Sequence, residues 1–197
     1  MVAENSHGNF CYYGQRLCKY RRTVRGVVLV SLLMASLLVQ AQTCAPNILP
    51  SPPTANFVIN GDGTATDQKT RLTWDQCAWG ATSGACELGA ATTMNWQDAL
   101  NVGASANAIN HKGRSDWRLP NLKELFSIVE TCRISPAINE QIFPNTAPSN
   151  FWPSTPTRSI DIAGSYAWYI DFYSGYSYYY GTTRTAKHYV RLVRGGL

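Results

Sequence analysis

The sequence predicts an α+β domain, in which two helices pack on antiparallel β-sheets and hairpins. Apolar residues at helical spacing, each set preceded by a polar capping pair, predict helices beginning near Asn95 and near Asn121. Alternating side chains over residues 166–173 predict a strand with one apolar face. With 197 residues and 45% hydrophobic content, the chain can bury one sizeable core.

Both predicted helices carry local start signals. Asn95 is followed three residues later by Asp98, and we expect this first helix to end by Asn107. The second begins after Pro120, with Asn121 and Glu124 as the capping pair. Its expected buried face holds Leu122, Leu125, Phe126 and Val129. Cys132 lies nearly a whole number of helical turns after Leu122, so we expect its sulfur on the same face. His111, in the polar loop between the helices, is expected to be solvated.

The predicted strands begin with a hairpin. Residues 57–60 and 64–66 flank Gly61-Asp62-Gly63, and a further strand covers 72–74. Asp62 and Asp67 could coordinate calcium, but Asp is an ordinary turn residue and we favour the turn.

The predicted strands of the last third form an antiparallel sheet. After residues 166–173, a turn at Ser174-Gly175 leads into residues 176–180. A final strand over 188–194 is expected to bury Val190 and Leu192.

Residues 1–41 have the features of a secretory signal peptide. Basic residues precede an apolar run over 27–39, and Val39-Gln40-Ala41 suits cleavage after Ala41. The run is shorter than the ~20 residues of a spanning helix, although an uncleaved signal anchor is the alternative. The length of this leader leaves open a true start downstream of Met1. We expect a Pro-rich linker over 42–55, then an exported domain over 56–197, secreted, periplasmic or on a bacterial surface and without membrane insertion.

The net charge of +5 comes mostly from the leader. The remaining chain is close to neutral, which argues against nucleic-acid binding, because that activity needs a clustered basic surface.

Four cysteines follow the predicted cleavage site: Cys44, Cys77, Cys86 and Cys132. In an exported domain they predict two disulfides with three connectivities. We favour Cys77 with Cys86, closing a short loop, and Cys44 with Cys132, fastening the N-terminus to the second helix. Zinc is the alternative, but no His is near these cysteines in the sequence and their spacing fits no common finger.

An ordered set of motifs resembles a known bacterial family. The motifs are Asn60-Gly61-Asp62-Gly63-Thr64, Leu72-Thr73-Trp74, Asp116-Trp117-Arg118-Leu119-Pro120-Asn121, Phe143-Pro144-Asn145-Thr146, Ala167-Trp168 and Val190-Arg191-Leu192-Val193-Arg194. They resemble the C-terminal domain family of the Legionella collagen-like adhesins (Lcl). The resemblance implies a C-type-lectin-like fold and an exported binding module for glycans. The chain lacks the collagen-like stalk, so a stalk-held trimer is not implied, although an oligomer is compatible.

The segment 173–185 carries Tyr and Ser where we expect Asn in family members. Single changes at adenines in Asn codons produce these residues, and diversity-generating retroelements mutate adenines in lectin-like C-termini. We therefore hypothesise a diversified face over 166–189 that binds protein ligands. The hypothesis requires a reverse-transcriptase gene and a template repeat beside the locus.

Tyr and Ser also suit a recognition surface, because Tyr gives rigid contact area and Ser adaptable hydrogen bonds. The predicted ligand-binding residues are Tyr169, Tyr173, Tyr176, Tyr178, Tyr179, Tyr180, Arg184, Lys187 and His188. Arg184, Lys187, Arg191, Arg194 and His188 make an anionic polysaccharide a candidate ligand.

Two other functions compete with binding. The lectin-like fold also hosts formylglycine-generating enzymes, but that chemistry needs reactive cysteines and a metal. We expect no catalysis, cofactor or bound metal. An inert structural domain with buried tyrosines is the other alternative.

Overall fold

The computed structural model describes part of the chain, namely residues 3–4, 10–11, 44–82, 84–157, 165–178 and 182–195. The chain divides into two compact units, Met1–Val39 and Gln40–Leu197. In the first unit, strands β1 (Ala3–Glu4) and β2 (Phe10–Cys11) pair antiparallel. The rest of the predicted signal peptide lies outside the described residues.

The described residues of the second unit form a mixed α+β domain with antiparallel sheets and two α-helices. Its strands are β3 (Phe57–Ile59), β4 (Thr64–Asp67), β5 (Leu72–Asp75), β6 (Ala81–Thr82), β7 (Leu88–Gly89), β8 (Asn150–Phe151), β9 (Tyr169–Asp171), β10 (Tyr176–Tyr178) and β11 (Val193–Gly195). They form a sheet in the order β11-β5-β4-β3, a sheet in the order β10-β9-β8, and the hairpin β6-β7. Every pairing between these strands is antiparallel. The hairpin predicted around Asp62 is β3 with β4.

The two helices begin where the capping pairs predicted. Helix α1 (Trp96–Ala108) starts after Asn95, whose side chain accepts a hydrogen bond from the Asp98 backbone N–H at 2.9 Å. Helix α2 (Leu122–Phe126) starts after Asn121 with a complete capping box to Glu124. The caps satisfy backbone donors that a first turn otherwise leaves without partners.

Helix α2 is shorter than the apolar spacing predicted. The Ser127 hydroxyl donates to the Glu124 carbonyl at 2.7 Å, and Val129 pairs with Ile138 in an isolated bridge. The chain therefore leaves the helix before Cys132. Phe126 is 44% exposed, so the prediction that it lies on the buried face is wrong.

Two hydrophobic clusters form the core. The first joins the β5 sheet, α2 and β9 through side chains such as Trp74, Leu125 and Ile170. The second packs α1 against Trp117 and Trp152. Within α1, a Cβ on Gly103 would lie 2.8 Å from the Trp117 carbonyl oxygen, so glycine permits this close approach.

Both favoured cysteine pairs are confirmed. The Cα atoms are 5.3 Å apart in Cys77–Cys86 and 4.7 Å apart in Cys44–Cys132. Since α2 ends at Phe126, Cys132 fastens the N-terminal segment to the turn beyond the helix. None of the helices in the described part of the chain has the length and apolarity needed to cross a membrane.

Residues 44–53, the N-terminal strap, lie against the domain. The Ala45 N–H donates to the Cys132 carbonyl at 2.8 Å, and the Ser51 N–H donates to Glu130 Oε1 at 2.7 Å. The described part of the predicted 42–55 linker is thus bound to the domain by hydrogen bonds and a disulfide.

The end of the chain buries a charge that the strand pattern placed outside. Val190 and Leu192 are buried as predicted, but Arg191 and Val193 are also fully buried. The Arg191 guanidinium donates to the Asp75 carbonyl at 2.9 Å, to the Gln76 carbonyl, and to Thr146 Oγ1 at 2.7 Å. Simple alternation fails here because β5 and the 143–146 segment enclose this side chain from both sides.

Candidate ligand-binding face

The tyrosine-rich face is built on the hairpin of β9 and β10. Tyr178 lies opposite Tyr169, and Tyr176 lies opposite Asp171. The Asp171 carboxylate fixes the turn, because it accepts the Tyr173 N–H at 2.8 Å and the Ser174 hydroxyl at 2.6 Å. The predicted turn is therefore present and held by its own polar groups.

Five aromatic rings in successive contact, which we call the aromatic stack, run from the core to this surface. Tyr169 and Tyr178 are stacked, whereas the other neighbouring rings are tilted or edge-on to each other. In order, the aromatic stack is Trp152, His188, Tyr169, Tyr178 and Tyr176. Successive ring centroids are 4.2, 5.3, 5.5 and 6.1 Å apart. Trp152 is fully buried, whereas Tyr178 is 42% and Tyr176 63% exposed. The stack holds the outer rings against a fixed interior support.

The interior end of the stack is anchored by hydrogen bonds. Trp152 Nε1 donates to the Met94 carbonyl at 2.8 Å. His188 Nδ1 lies 2.8 Å from the Lys187 carbonyl, so we assign the ring proton to Nδ1. Burial lowers the pKa of His188, which favours the neutral imidazole. Nε2 of this ring is buried and has no hydrogen-bond partner among the described residues.

The predicted tyrosines fall into two groups. Tyr173, Tyr176 and Tyr178 are exposed, and Tyr169 is half-buried beneath Tyr178. Tyr179 and Tyr180 lie outside the described residues. Three of the predicted contact residues therefore share the surface of one hairpin.

The predicted basic residues do not form one surface. His188 and Arg191 are buried. The Arg184 guanidinium lies 4.4 Å above the Trp96 ring, and its Nε donates to the Tyr166 carbonyl at 3.0 Å. Lys187 remains exposed. The aromatic stack encloses His188 and the core around Thr146 encloses Arg191, so neither side chain is at the surface to meet an anionic ligand.

Arg194 is directed elsewhere, since its guanidinium lies 3.7 Å from the Asp116 carboxylate. The residue that sequence reasoning missed at the tyrosine face is Trp152. Its contact with His188 joins residues far apart in the sequence, so no local pattern indicates it.

Apart from the tyrosine-rich face, a buried polar cluster surrounds Asp75, which is only 3% exposed. Its carboxylate oxygens lie 2.7 Å from His111 Nε2 and 2.7 Å from Lys112 Nζ, and one also accepts the Cys77 N–H. Burial raises the pKa of Asp75, but the His111 and Lys112 interactions outweigh burial and hold the pKa below its ordinary value.

The prediction that His111 is solvated is therefore wrong, because its ring is paired with Asp75 and largely shielded from water. Its ring lies edge-on to Trp79 and Trp117, at centroid distances of 5.4 and 5.8 Å. Lys112 also donates to the Gly63 carbonyl at 2.5 Å. The cluster ties the loop after α1 to the β3–β4 hairpin, which is a structural role. His111 and Asp75 are 36 positions apart in the sequence, so no local pattern indicates their contact.

The two carboxylates considered for calcium are used within turns. Asp62 Oδ1 accepts the Thr64 N–H at 3.0 Å and the Thr64 hydroxyl at 2.5 Å. Asp67 accepts the Lys69 N–H at 2.9 Å and the Thr70 hydroxyl at 2.7 Å. These contacts are those of Asp residues that stabilise turns.

Comparison with known proteins gives one clear match. A family model described as the Lcl C-terminal domain matches residues 63–194, which is more than half of the chain. No curated protein matches significantly. The matched span contains α1, α2 and the β9–β10 hairpin with its exposed tyrosines. The chain belongs to the Lcl C-terminal domain family.

Proposed function

We propose that the protein is an exported, non-catalytic binding module with a C-type-lectin-like fold, which recognises glycans through the tyrosine face. The observation that carries the proposal is the aromatic stack, because it presents two exposed rings on a support that reaches the buried Trp152. An aromatic ring offers a flat apolar surface to the C–H face of a sugar, and its hydroxyl offers a hydrogen bond.

Preorganisation makes this surface suitable for binding. The ring of Tyr178 is already stacked on Tyr169 at 5.5 Å with an interplanar angle of 26°. A ligand that packs on Tyr178 thus pays little side-chain entropy, which otherwise costs about 0.5–1.5 kcal/mol per immobilised side chain. Burying most of one such ring contributes about 1.5–3 kcal/mol.

The charge distribution favours stacking over ion pairing as the main source of affinity. Arg191 and His188 are buried, and Arg184 is occupied by Trp96 and the Tyr166 carbonyl. Lys187, beside His188 in the sequence, is exposed. We therefore propose that an anionic group on the glycan would add modest affinity, since exposed charge pairs contribute about 0–1 kcal/mol.

Export and the lack of catalysis are supported by the cysteines. The four described cysteines of the second unit, Cys44, Cys77, Cys86 and Cys132, are paired in two disulfides, which are typical of oxidising compartments. Paired cysteines offer no thiolate for the formylglycine type of chemistry. The two disulfides are compatible with a secreted or cell-surface protein.

A protein ligand on a diversified face is the second candidate. Tyr173 and Tyr176 are 53% and 63% exposed, while the turn is held by the Asp171 carboxylate and the backbone. Their side chains can therefore be exchanged at little cost in stability, within about ±0.5 kcal/mol for surface positions. A diversified binding surface requires this tolerance.

The test is glycan-array binding by the purified protein beside a Tyr176→Ala/Tyr178→Ala variant. Leu88→Ala, which truncates a 64% exposed apolar residue on the β6–β7 hairpin, is the matched control. We expect the wild type and the control to bind the same glycans and the tyrosine variant to lose them. Near-ultraviolet circular dichroism checks that all three are folded.

Two results would count against glycan recognition at this face. Equal binding by the tyrosine variant would place the glycan site elsewhere. No glycan binding by folded wild type would favour the protein-ligand candidate, which a template repeat beside the locus would then support.

A further inference from the structure

The disulfide Cys44–Cys132 lies beside a buried carboxylate with an unused oxygen. Glu130 is fully buried, and its Oε1 accepts the Ser51 N–H at 2.7 Å. Oε1 also lies 3.2 Å from Cys132 Sγ. Oε2 has no hydrogen-bond partner among the described residues. An unpaired carboxylate oxygen in the interior is costly, so a buried Glu130 carboxylate beside the disulfide calls for a physical explanation.

We propose that Cys44, Glu130 and Cys132 form a metal site for Zn²⁺ when the disulfide is reduced. The Sγ atoms and the carboxylate oxygen lie within 4.8 Å of one another. In a tetrahedral zinc site with Zn–S of about 2.3 Å and Zn–O of about 2.1 Å, ligand atoms are about 3.5–3.8 Å apart. Small rotations of these side chains therefore suffice to surround the ion.

The ligand set fits zinc better than calcium or magnesium. The two thiolates are soft donors that zinc binds well, and zinc also accepts a carboxylate oxygen, whereas calcium and magnesium take oxygen ligands alone. Cys44 is partly exposed, so water can supply the fourth ligand from that side. The ion would give the free oxygen of Glu130 a partner that the disulfide form lacks.

The chemistry balances with a dithiol as reductant. The dithiol supplies two electrons and two protons, its own sulfurs become a disulfide, and Cys44 and Cys132 become thiols. Zinc binding then displaces the two thiol protons to solvent. In both states the N-terminal strap stays fastened to the 130–132 turn, by a disulfide when oxidised and by zinc when reduced. The inference is independent of glycan binding.

The experiment uses the purified protein with Cys11→Ser and Cys18→Ser, so that the leader contributes no thiol. The protein is reduced with a phosphine and titrated with Co²⁺, whose thiolate complexes absorb in the near ultraviolet and visible range. We expect one Co²⁺ per chain, displaced by Zn²⁺. Cys77→Ser/Cys86→Ser should retain this absorption and Cys44→Ser/Cys132→Ser should abolish it.

Glu130→Gln tests the carboxylate. Its amide oxygen can still accept the Ser51 N–H, so we expect a folded protein that binds Co²⁺ and Zn²⁺ at least about tenfold more weakly. Zinc should also raise the melting temperature of the reduced wild type, and not that of Cys44→Ser/Cys132→Ser.

Three results would overturn the proposal, provided that circular dichroism shows native structure. They are the absence of cobalt–thiolate absorption in the reduced wild type, its survival in Cys44→Ser/Cys132→Ser, and unchanged metal affinity in Glu130→Gln. If Glu130→Gln fails to fold, the two cysteine-pair variants and the zinc-dependent melting temperature decide the question.

Discussion

Replacing Asp75 with Asn removes the charge at the centre of the buried polar cluster and keeps an oxygen for the Cys77 N–H. His111 Nε2 and Lys112 Nζ each lie 2.7 Å from the carboxylate. A hydrogen bond with a charged group contributes about 1.5–3 kcal/mol, and breaking a buried ion pair costs about 3–5 kcal/mol. The His111 and Lys112 side chains are 16% and 17% exposed and can regain some water. We therefore expect a loss near the lower limit, about 3 kcal/mol.

Urea unfolding at pH 7 measures this loss directly. For a domain of this size, about 3 kcal/mol corresponds to a fall in melting temperature of roughly 6–12 °C. Asp116→Asn is the matched control, since Asp116 is 57% exposed and lies 3.7 Å from Arg194. The control should change the free energy of unfolding by less than about 0.5 kcal/mol.

The pH dependence tests the same reasoning independently. The folded-state pKa of Asp75 is lowered from 3.8, so its stabilising contribution is present above pH 3.8 and is lost as the pH falls through the folded value. The difference between wild type and Asp75→Asn should therefore shrink below about pH 4. A difference under about 0.5 kcal/mol at pH 7, or one that stays constant into acid, would refute this account of the cluster.

Three further variants test the helices and the stack. Gly103→Ala should lower the free energy of unfolding by about 1–3 kcal/mol, because the new Cβ meets the Trp117 carbonyl oxygen. This cost should exceed the gain from the better helix propensity of Ala. Ser105→Ala, on the exposed face of α1, is the control and should not destabilise the protein in chemical unfolding. Asn121→Ala should cost about 1 kcal/mol by loss of the capping box, and an unchanged denaturation midpoint would contradict the cap. The pKa of His188 is lowered from 6.5 by burial, so stability should fall as the pH drops from 6.5 through the folded value. His188→Gln should weaken that dependence in melting-temperature profiles, and an identical acid profile would contradict it.

Local signals in the sequence predicted the helix starts and the turns, whereas the strand expected over 188–194 is limited to Val193–Gly195. The capping pairs at Asn95 and Asn121 act within three residues, so the sequence contains all the information that places both helix starts. The β3–β4 hairpin and the Ser174-Gly175 turn were predictable for the same reason. The end of α2 was not, since it depends on Ser127 and on the pairing of Val129 with Ile138.

The side-chain environments of the charged residues depended on distant partners. Arg191 is buried by contacts with Asp75 and Gln76, more than 100 positions away. His111 is shielded from solvent where it pairs with Asp75, and His188 is buried where its ring packs on Trp152. In each case the partner lies outside any window in which periodicity operates. The exposed tyrosines were predictable because alternation along β10 forces one set of side chains outward.

The most direct test of the proposed function compares Tyr178→Phe with Tyr178→Ala, using calorimetry with the glycan bound most strongly on the array. Phe keeps the ring stacked on Tyr169, so affinity should stay within about threefold of wild type, a change of under 1 kcal/mol. Ala removes the ring, and a loss of about 1.5–3 kcal/mol corresponds to roughly 10- to 150-fold weaker binding. Equal affinity for wild type and Tyr178→Ala, with both folded, would contradict recognition by the aromatic stack.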